Sequence, residues 1–250
     1  MTLVVLMGRR TLWGHWMRRS VSATSALLAW ASLACFAAAQ SRSWEPLLRA
    51  YGVKDKRVIR AMERVRRADF LAAGIRSLEY EDRPLLIGYS QNTSMPSTIA
   101  IMIAALELKP GCSVLEVGTG SGYQTALLGE LCKKVASIEI IPPLAQRAAA
   151  RLRELGYKNI DVKAGDGYLG WPERAPFDGI VVSASAPKVP APLVAQLKPG
   201  GRMIIPIGDA EFGQLLLVIK QVDGGYTSEK TLPVTFVPMT GDQAERDRRK

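Results

Sequence analysis

At 250 residues, 48% hydrophobic and 22% charged, the chain has enough apolar material to bury a core, which excludes a disordered protein. Its formal net charge of +10 would suit an acidic partner. No Lys/Arg block interleaved with aromatics occurs, however, so no nucleic-acid partner is expected. One histidine (His15) and three cysteines (Cys35, Cys112 and Cys132) exclude a Cys/His metal site and a serine hydrolase with its base in the core.

The first 40 residues contain no acid and four arginines, Arg9, Arg10, Arg18 and Arg19. From Met17, two arginines precede an uncharged apolar run over Val21–Ala39 that ends in Ala-x-Ala before Gln40. That is the layout of a secretory leader, and the run is also close to the minimum length of a membrane anchor. Residues 1–40 are therefore expected to be a targeting or anchor segment, and residues 41–95 a helical extension with an active-site loop. Residues 96–250 are expected to be the catalytic domain.

Residues 44–71 read as helical, with Val58, Ile59, Met62, Val65 and Leu71 near helical spacing. "EDRPLLIGYSQNTSMPS" is rich in turn formers and is expected to be a loop. A helix opens around Pro96–Thr98 and stops before Pro110-Gly111. Cys112 and Cys132 lie in no CxxC pattern and are expected to be small buried hydrophobes rather than a disulfide. From here strands and helices alternate: "SVLEV", helix "YQTALLGEL", "VASIEI", helix "PPLAQRAAARLRELG", "IDVKAG", "FDGIVVSAS", short helix "APLVAQLKPGG" and "RMIIPIG". "QLLLVIKQ" and "YTSEKTLPVTFVPM" flank Asp223-Gly224-Gly225 and read as an antiparallel pair. Repeated βα units predict an α/β fold with a doubly wound, mostly parallel sheet.

The first strand delivers "VLEVGTGSGY" to the carboxyl edge of such a sheet, where ligands bind. Gly118, Gly120 and Gly122, with Thr119 between them, allow a sharp turn and close backbone approach to a cofactor. Glu116, at the strand tip, would repel a pyrophosphate and favour a cationic, phosphate-free ligand such as S-adenosylmethionine over NAD. Glu139, 21 residues after Gly118, suits a ribose diol. Asp166, followed by Gly167 in "AGDGY", could face the adenine amino group.

Together with "SIEIIPPLA", "AGDGYLGWPERAPFDGIVVSASAP" and "LKPGGRMIIPIG", this loop resembles the protein-L-isoaspartate O-methyltransferase family, from about Val58 to Thr240. The resemblance implies a Rossmann-like methyltransferase fold with an N-terminal helical extension and a late antiparallel strand pair. It implies S-adenosyl-L-methionine as cofactor and methylation of the α-carboxylate of L-isoaspartyl residues in damaged proteins, which initiates repair through a succinimide. "SQNTSMP" matches the family's catalytic loop, with Gln91 near the cofactor and Ser94 as the acceptor-site serine. Asn92, Thr93, Met95 and Ser97 depart from the pattern. Thr240 matches a late threonine near the cofactor. The implied partners are isoaspartyl proteins and peptides, without metal or nucleic acid, and the implied state is a monomer in the cytoplasm. The leader keeps export, or membrane contact through residues 17–39, as the alternative. Two further readings stay open: a related methyltransferase with another acceptor, and a cofactor-binding protein without turnover.

Overall fold

Strand β3 (Ser113–Val117) enters the middle of a seven-stranded sheet and pairs in parallel on both sides, with β4 (Lys134–Glu139) and with β6 (Phe177–Val182). The order is β5-β4-β3-β6-β7-β8-β9, where β5 is Ile160–Ala164, β7 Leu197–Gly208, β8 Gly213–Lys220 and β9 Tyr226–Val234. β5 to β7 run parallel, and β8 is antiparallel to both its neighbours. Connections leave β3 first toward β5 and then jump back to β6, so the carboxyl ends of β3 and β6 form the topological switch point. The computed structural model describes residues 43–208 and 213–241. The leader expected over residues 1–40 lies outside them.

The helices follow local chemistry. α1 (Glu45–Ala50) starts with Pro46 in its first turn, and α2 (Lys56–Arg64) is capped by Asp55, whose side chain accepts from the Arg57 N–H at 2.7 Å. α2 buries Val58, Ile59, Ala61 and Met62 on one face. α3 (Pro96–Ala105) begins at proline, and α4 (Tyr123–Leu131) follows the glycine loop. α5 (Pro142–Glu154) starts at proline and is followed by Gly156, whose φ of 85° ends it. Two apolar clusters cover the two sheet faces. Trp44, Leu48, Ile59 and Met62 of the extension join Ile99, Val114 and Tyr123 in one cluster, while Leu115, Val117, Ile180 and Met203 lie in the other. The helical extension and the sheet thus share a core.

Three expectations are corrected. Segment 81–97 is not a plain loop: β1 (Leu85–Gly88) and β2 (Gln91–Thr93) form an antiparallel hairpin. Its turn residues Tyr89 and Ser90 have φ of 55° and 56°, left-handed values that their side chains do not announce. The helix read over 191–201 covers only Ala191–Ala195, as α6, and Leu197 already pairs with Phe177 in the sheet. Pro199, Gly200 and Gly201 cannot propagate a helix. Cys112 and Cys132 are buried as expected, but they form a disulfide with Cα atoms 4.8 Å apart. α4 runs back along β3, so the residue after the helix arrives beside the residue before the strand.

Candidate active site

A cavity of about 420 Å³ opens at the switch point, a size that suits a nucleoside-sized ligand. Its floor is the glycine loop. Gly118, Gly120 and Gly122 have φ of 95°, 55° and 90°, a backbone that L side chains resist. A Cβ on Gly118 would also meet the Ser183 Cβ at 3.3 Å. Gly118, Thr119 and Gly120 line the cavity. Gly122 does not; it is the N-cap of α4 and packs toward Ala148 and Leu152 of α5.

Glu139, at the tip of β4, forms one wall and is 5% exposed. Its Oε2 accepts from the Gly120 N–H at 2.9 Å, and its Oε1 accepts from the Ile141 N–H at 3.0 Å. Each oxygen keeps lone-pair capacity for a ligand hydroxyl. Ile138, Ile140, Ile141 and Leu144 add an apolar side. The β1–β2 hairpin covers the cavity through Ile87, Ser90 and Gln91, and is tied to α5 by Arg147 Nη2, which donates to the Ile87 carbonyl.

Asn92, Thr93 and Ser94 line this cavity and also an adjoining groove of about 760 Å³. Ser183, Val237 and Pro238 complete the junction between the two spaces. The segment before Thr240 is held there by backbone bonds, Ser185 N–H to the Val237 carbonyl at 2.8 Å and Met239 N–H to the Ser185 carbonyl at 2.7 Å.

Of the residues singled out in the sequence, Gln91, Ser94, Gly118, Thr119, Gly120, Glu139, Gly167 and Thr240 meet at the cavity. Glu116 and Asp166 do not. Strand alternation turns Glu116 to the same face as Val114, under α4, where it is 0% exposed. There Thr125 Oγ1 donates to its Oε2 at 2.5 Å, and Ser137 Oγ donates to the same atom at 2.6 Å. Burial pushes its pKa up to about 7, with the two hydroxyls opposing the shift in part. The carboxyl reaches the cavity only indirectly, because the Ser137 hydroxyl also bonds the Thr119 hydroxyl at 2.6 Å. Asp166 caps the short turn Gly167–Leu169, accepting from the Tyr168 N–H at 2.9 Å, and it lies against Gly241. Its neighbour Gly167 is the lining residue.

The charge argument therefore passes from Glu116 to the cavity as a whole. Among the described lining residues Glu139 is the one ionisable acid, and no Lys, Arg or His occurs among them. A lining whose one described charge is a carboxylate suits a cationic, phosphate-free nucleoside. Among the lining residues that the sequence did not single out are Gln124, Ser183, the hairpin residues Ile87 and Ser90, and the apolar side formed by Ile140, Ile141 and Leu144. Gln124 Nε2 donates to Ser183 Oγ at 3.0 Å, joining α4 to the end of β6. Ser183 follows the last apolar residue of β6, a position at the ligand-binding edge that could have been read from strand length alone.

The family model of protein-L-isoaspartate(D-aspartate) O-methyltransferase matches residues 44–244. The chain belongs to this family. It is 53% identical over 188 residues to protein-L-isoaspartate O-methyltransferase 2 of Syntrophobacter fumaroxidans, a match that spans 75% of this chain and 76% of that one. It is 53% identical over 191 residues to the Anaeromyxobacter dehalogenans enzyme, covering 76% and 91%. A solved protein-L-isoaspartate O-methyltransferase superposes with a TM-score of 0.73 at 30% identity, over 81% of this chain and 68% of that one. A Plasmodium falciparum protein of the same description, solved with S-adenosyl-L-homocysteine, gives a TM-score of 0.69 at 25% identity over 78% and 95%. As a member of the protein-L-isoaspartate O-methyltransferase family, the chain has the α/β sheet of a Rossmann-like methyltransferase, with the late antiparallel strands expected from sequence.

Proposed function

We propose that the chain methylates the free carboxylate of L-isoaspartyl residues in proteins and peptides, using S-adenosyl-L-methionine, and so initiates their repair. The observation that carries this reading is the shared wall. Residues 92–94 face the cofactor-sized cavity and the adjoining groove at once, so one loop can hold an acceptor against a donor.

When bound, the cofactor supplies a methyl group activated by a positive sulfur. Glu139 would bind the ribose hydroxyls, the glycine loop would admit the ligand close to the backbone, and Ile140, Ile141 and Leu144 would cover the base. The acceptor carboxylate is already ionised at neutral pH and needs no general base, which agrees with a lining free of His and Lys. Ser94 would orient that carboxylate by hydrogen bonding, and no base stands in the lining to make it a nucleophile. The chain's work is alignment and exclusion of water, and the hairpin supplies the cover.

The test is methyl transfer from labelled cofactor to an isoaspartyl peptide and to its aspartyl twin. Incorporation into the first alone is expected. Equal labelling of both, or of neither while aged protein extract is labelled elsewhere, would move the assignment to another acceptor.

Among the described residues no helix is long and apolar enough to cross a membrane. Cofactor supply supports a cytoplasmic enzyme, whereas the Cys112–Cys132 disulfide supports the exported alternative, since such bonds persist in oxidising compartments. N-terminal sequencing together with cell fractionation decides between them: a first residue at Gln40, or an uncleaved chain in the membrane fraction, supports export, and an uncleaved chain in the soluble cytoplasmic fraction supports the cytoplasmic enzyme.

A further inference from the structure

The hairpin that covers the cavity is fastened at its base by one side chain. Arg67, at the start of the 3₁₀ turn Arg67–Phe70, is 1% exposed. Its Nη1 donates to the Glu81 carbonyl at 2.8 Å, and its Nη2 donates to the carbonyls of Arg83 at 3.0 Å and Ser94 at 3.4 Å. Arg83 precedes the hairpin and Ser94 follows it, so a single guanidinium spans entry and exit. Asp82 grips the same corner from the other side. Its Oδ1 accepts from the Ser97 N–H at 2.9 Å in the first turn of α3, where the N-cap residue Met95 makes no side-chain cap.

A buried cation is a costly device. Desolvation lowers the pKa of Arg67 against the attraction of Asp82 and Glu81, and its Nε has no hydrogen-bond partner among the described residues. Replacing it alone by an apolar side chain would leave the Glu81, Arg83 and Ser94 carbonyls without their donor, so a fall in stability must be separated from a fall in turnover. What an apolar side chain cannot do is hold three carbonyls from separate positions in one plane. One of these carbonyls belongs to the serine at the junction of cavity and groove.

We propose that Arg67 is a positioning residue for methyl transfer, with Asp82 holding the adjoining first turn of α3: it sets the backbone of Ser94 and closes the hairpin base, without touching either substrate. The inference rests on the function proposed above. Lysine at this position would keep the charge but could not span from Glu81 to Ser94.

Arg67→Lys and Arg67→Met in the full chain test it, with three readouts. Calorimetry with S-adenosylhomocysteine should give a stoichiometry near one and a loss of affinity smaller than the loss of turnover, because Glu139 and the glycine loop are untouched while the hairpin cover loosens. Turnover on the isoaspartyl peptide should fall about tenfold to a hundredfold, the penalty for a small misplacement of an aligning group. Amide exchange should quicken in residues 91–94 and stay unchanged in β3 and β6. Unchanged turnover at full stoichiometry would overturn the proposal. So would a loss of turnover that only tracks a loss of binding-competent protein, or an Arg67→Lys protein that does not fold, since either assigns Arg67 to stability. If Arg67→Met alone fails to fold, Arg67→Lys decides. If wild type does not methylate the peptide, the proposed function fails, and the exchange data still decide whether Arg67 is the clasp.

Discussion

Two glutamates at neighbouring strand tips show how far apart two similar residues can be placed. Glu139 ends β4 facing the cavity, and Glu116 sits one residue short of the end of β3, facing inward. In Glu139→Ala a ligand would lose its carboxylate, and the Gly120 and Ile141 N–H groups would lose their acceptor. Losing charged hydrogen bonds of this kind costs about 1.5–3 kcal/mol. Affinity for S-adenosylhomocysteine is expected to fall about tenfold to a hundredfold by calorimetry, and equal affinity would remove Glu139 from the ribose. Glu116 has a folded-state pKa raised from 4.5 to about 7. The native state therefore keeps a proton that the unfolded chain has released between these values. Stability is highest below pH 4.5 as far as this group is concerned, falls as pH rises toward 7, and has lost about 3 kcal/mol above it. Glu116→Gln keeps an acceptor for Thr125 and Ser137 and cannot ionise. Urea unfolding should find it close to wild type near pH 4.5 and more stable at pH 8; parallel pH profiles would show that Glu116 does not titrate in this way.

At the scale of elements, the βα unit from β3 to α4 carries most of the cofactor loop and is closed by the Cys112–Cys132 bond across a sequence separation of 20 residues. Closing a loop of that length removes unfolded-state entropy worth about 3 kcal/mol. The Cys112→Ser, Cys132→Ser double variant should unfold at correspondingly lower urea than the oxidised protein and match the reduced one. Equal midpoints for all three would mean that the thiols are not joined in solution. The central parallel strands were legible because buried parallel strands are largely apolar runs bounded by turns, as "SVLEV" of β3 and "FDGIVVSAS" of β6 are. The β1–β2 hairpin was not. Its two strands have four and three residues, too short for alternation to register, and its turn uses Tyr89 and Ser90 where glycine or asparagine would have signalled left-handed backbone. The cysteine pairing was missed for another reason: spacing along the chain does not reveal that α4 returns to the foot of β3.

For the molecule as a whole, the sequence alone determined the alternation of strands and helices, the glycine loop at the first strand's carboxyl end, and the acid that ends the second strand. These are local properties, set by hydrophobic period and by the backbone freedom of glycine. They sufficed for most of the sheet and of the cavity floor, whereas the choice of S-adenosyl-L-methionine over a dinucleotide rested on Glu116, which the structure turns into the core, and on the resemblance carried by the longer motifs. Tertiary structure alone decided that Glu116 faces the core and Asp166 stands behind the wall, and that Arg67 closes the hairpin over residues 85–93. It also brought Ser94 and Ser183, 89 positions apart, to the junction of two spaces. The physical reason is that a side chain's role depends on which groups surround it once water has been removed. The chain crosses from β5 back to β6 before those neighbours exist, so no pattern confined to a few residues encodes them.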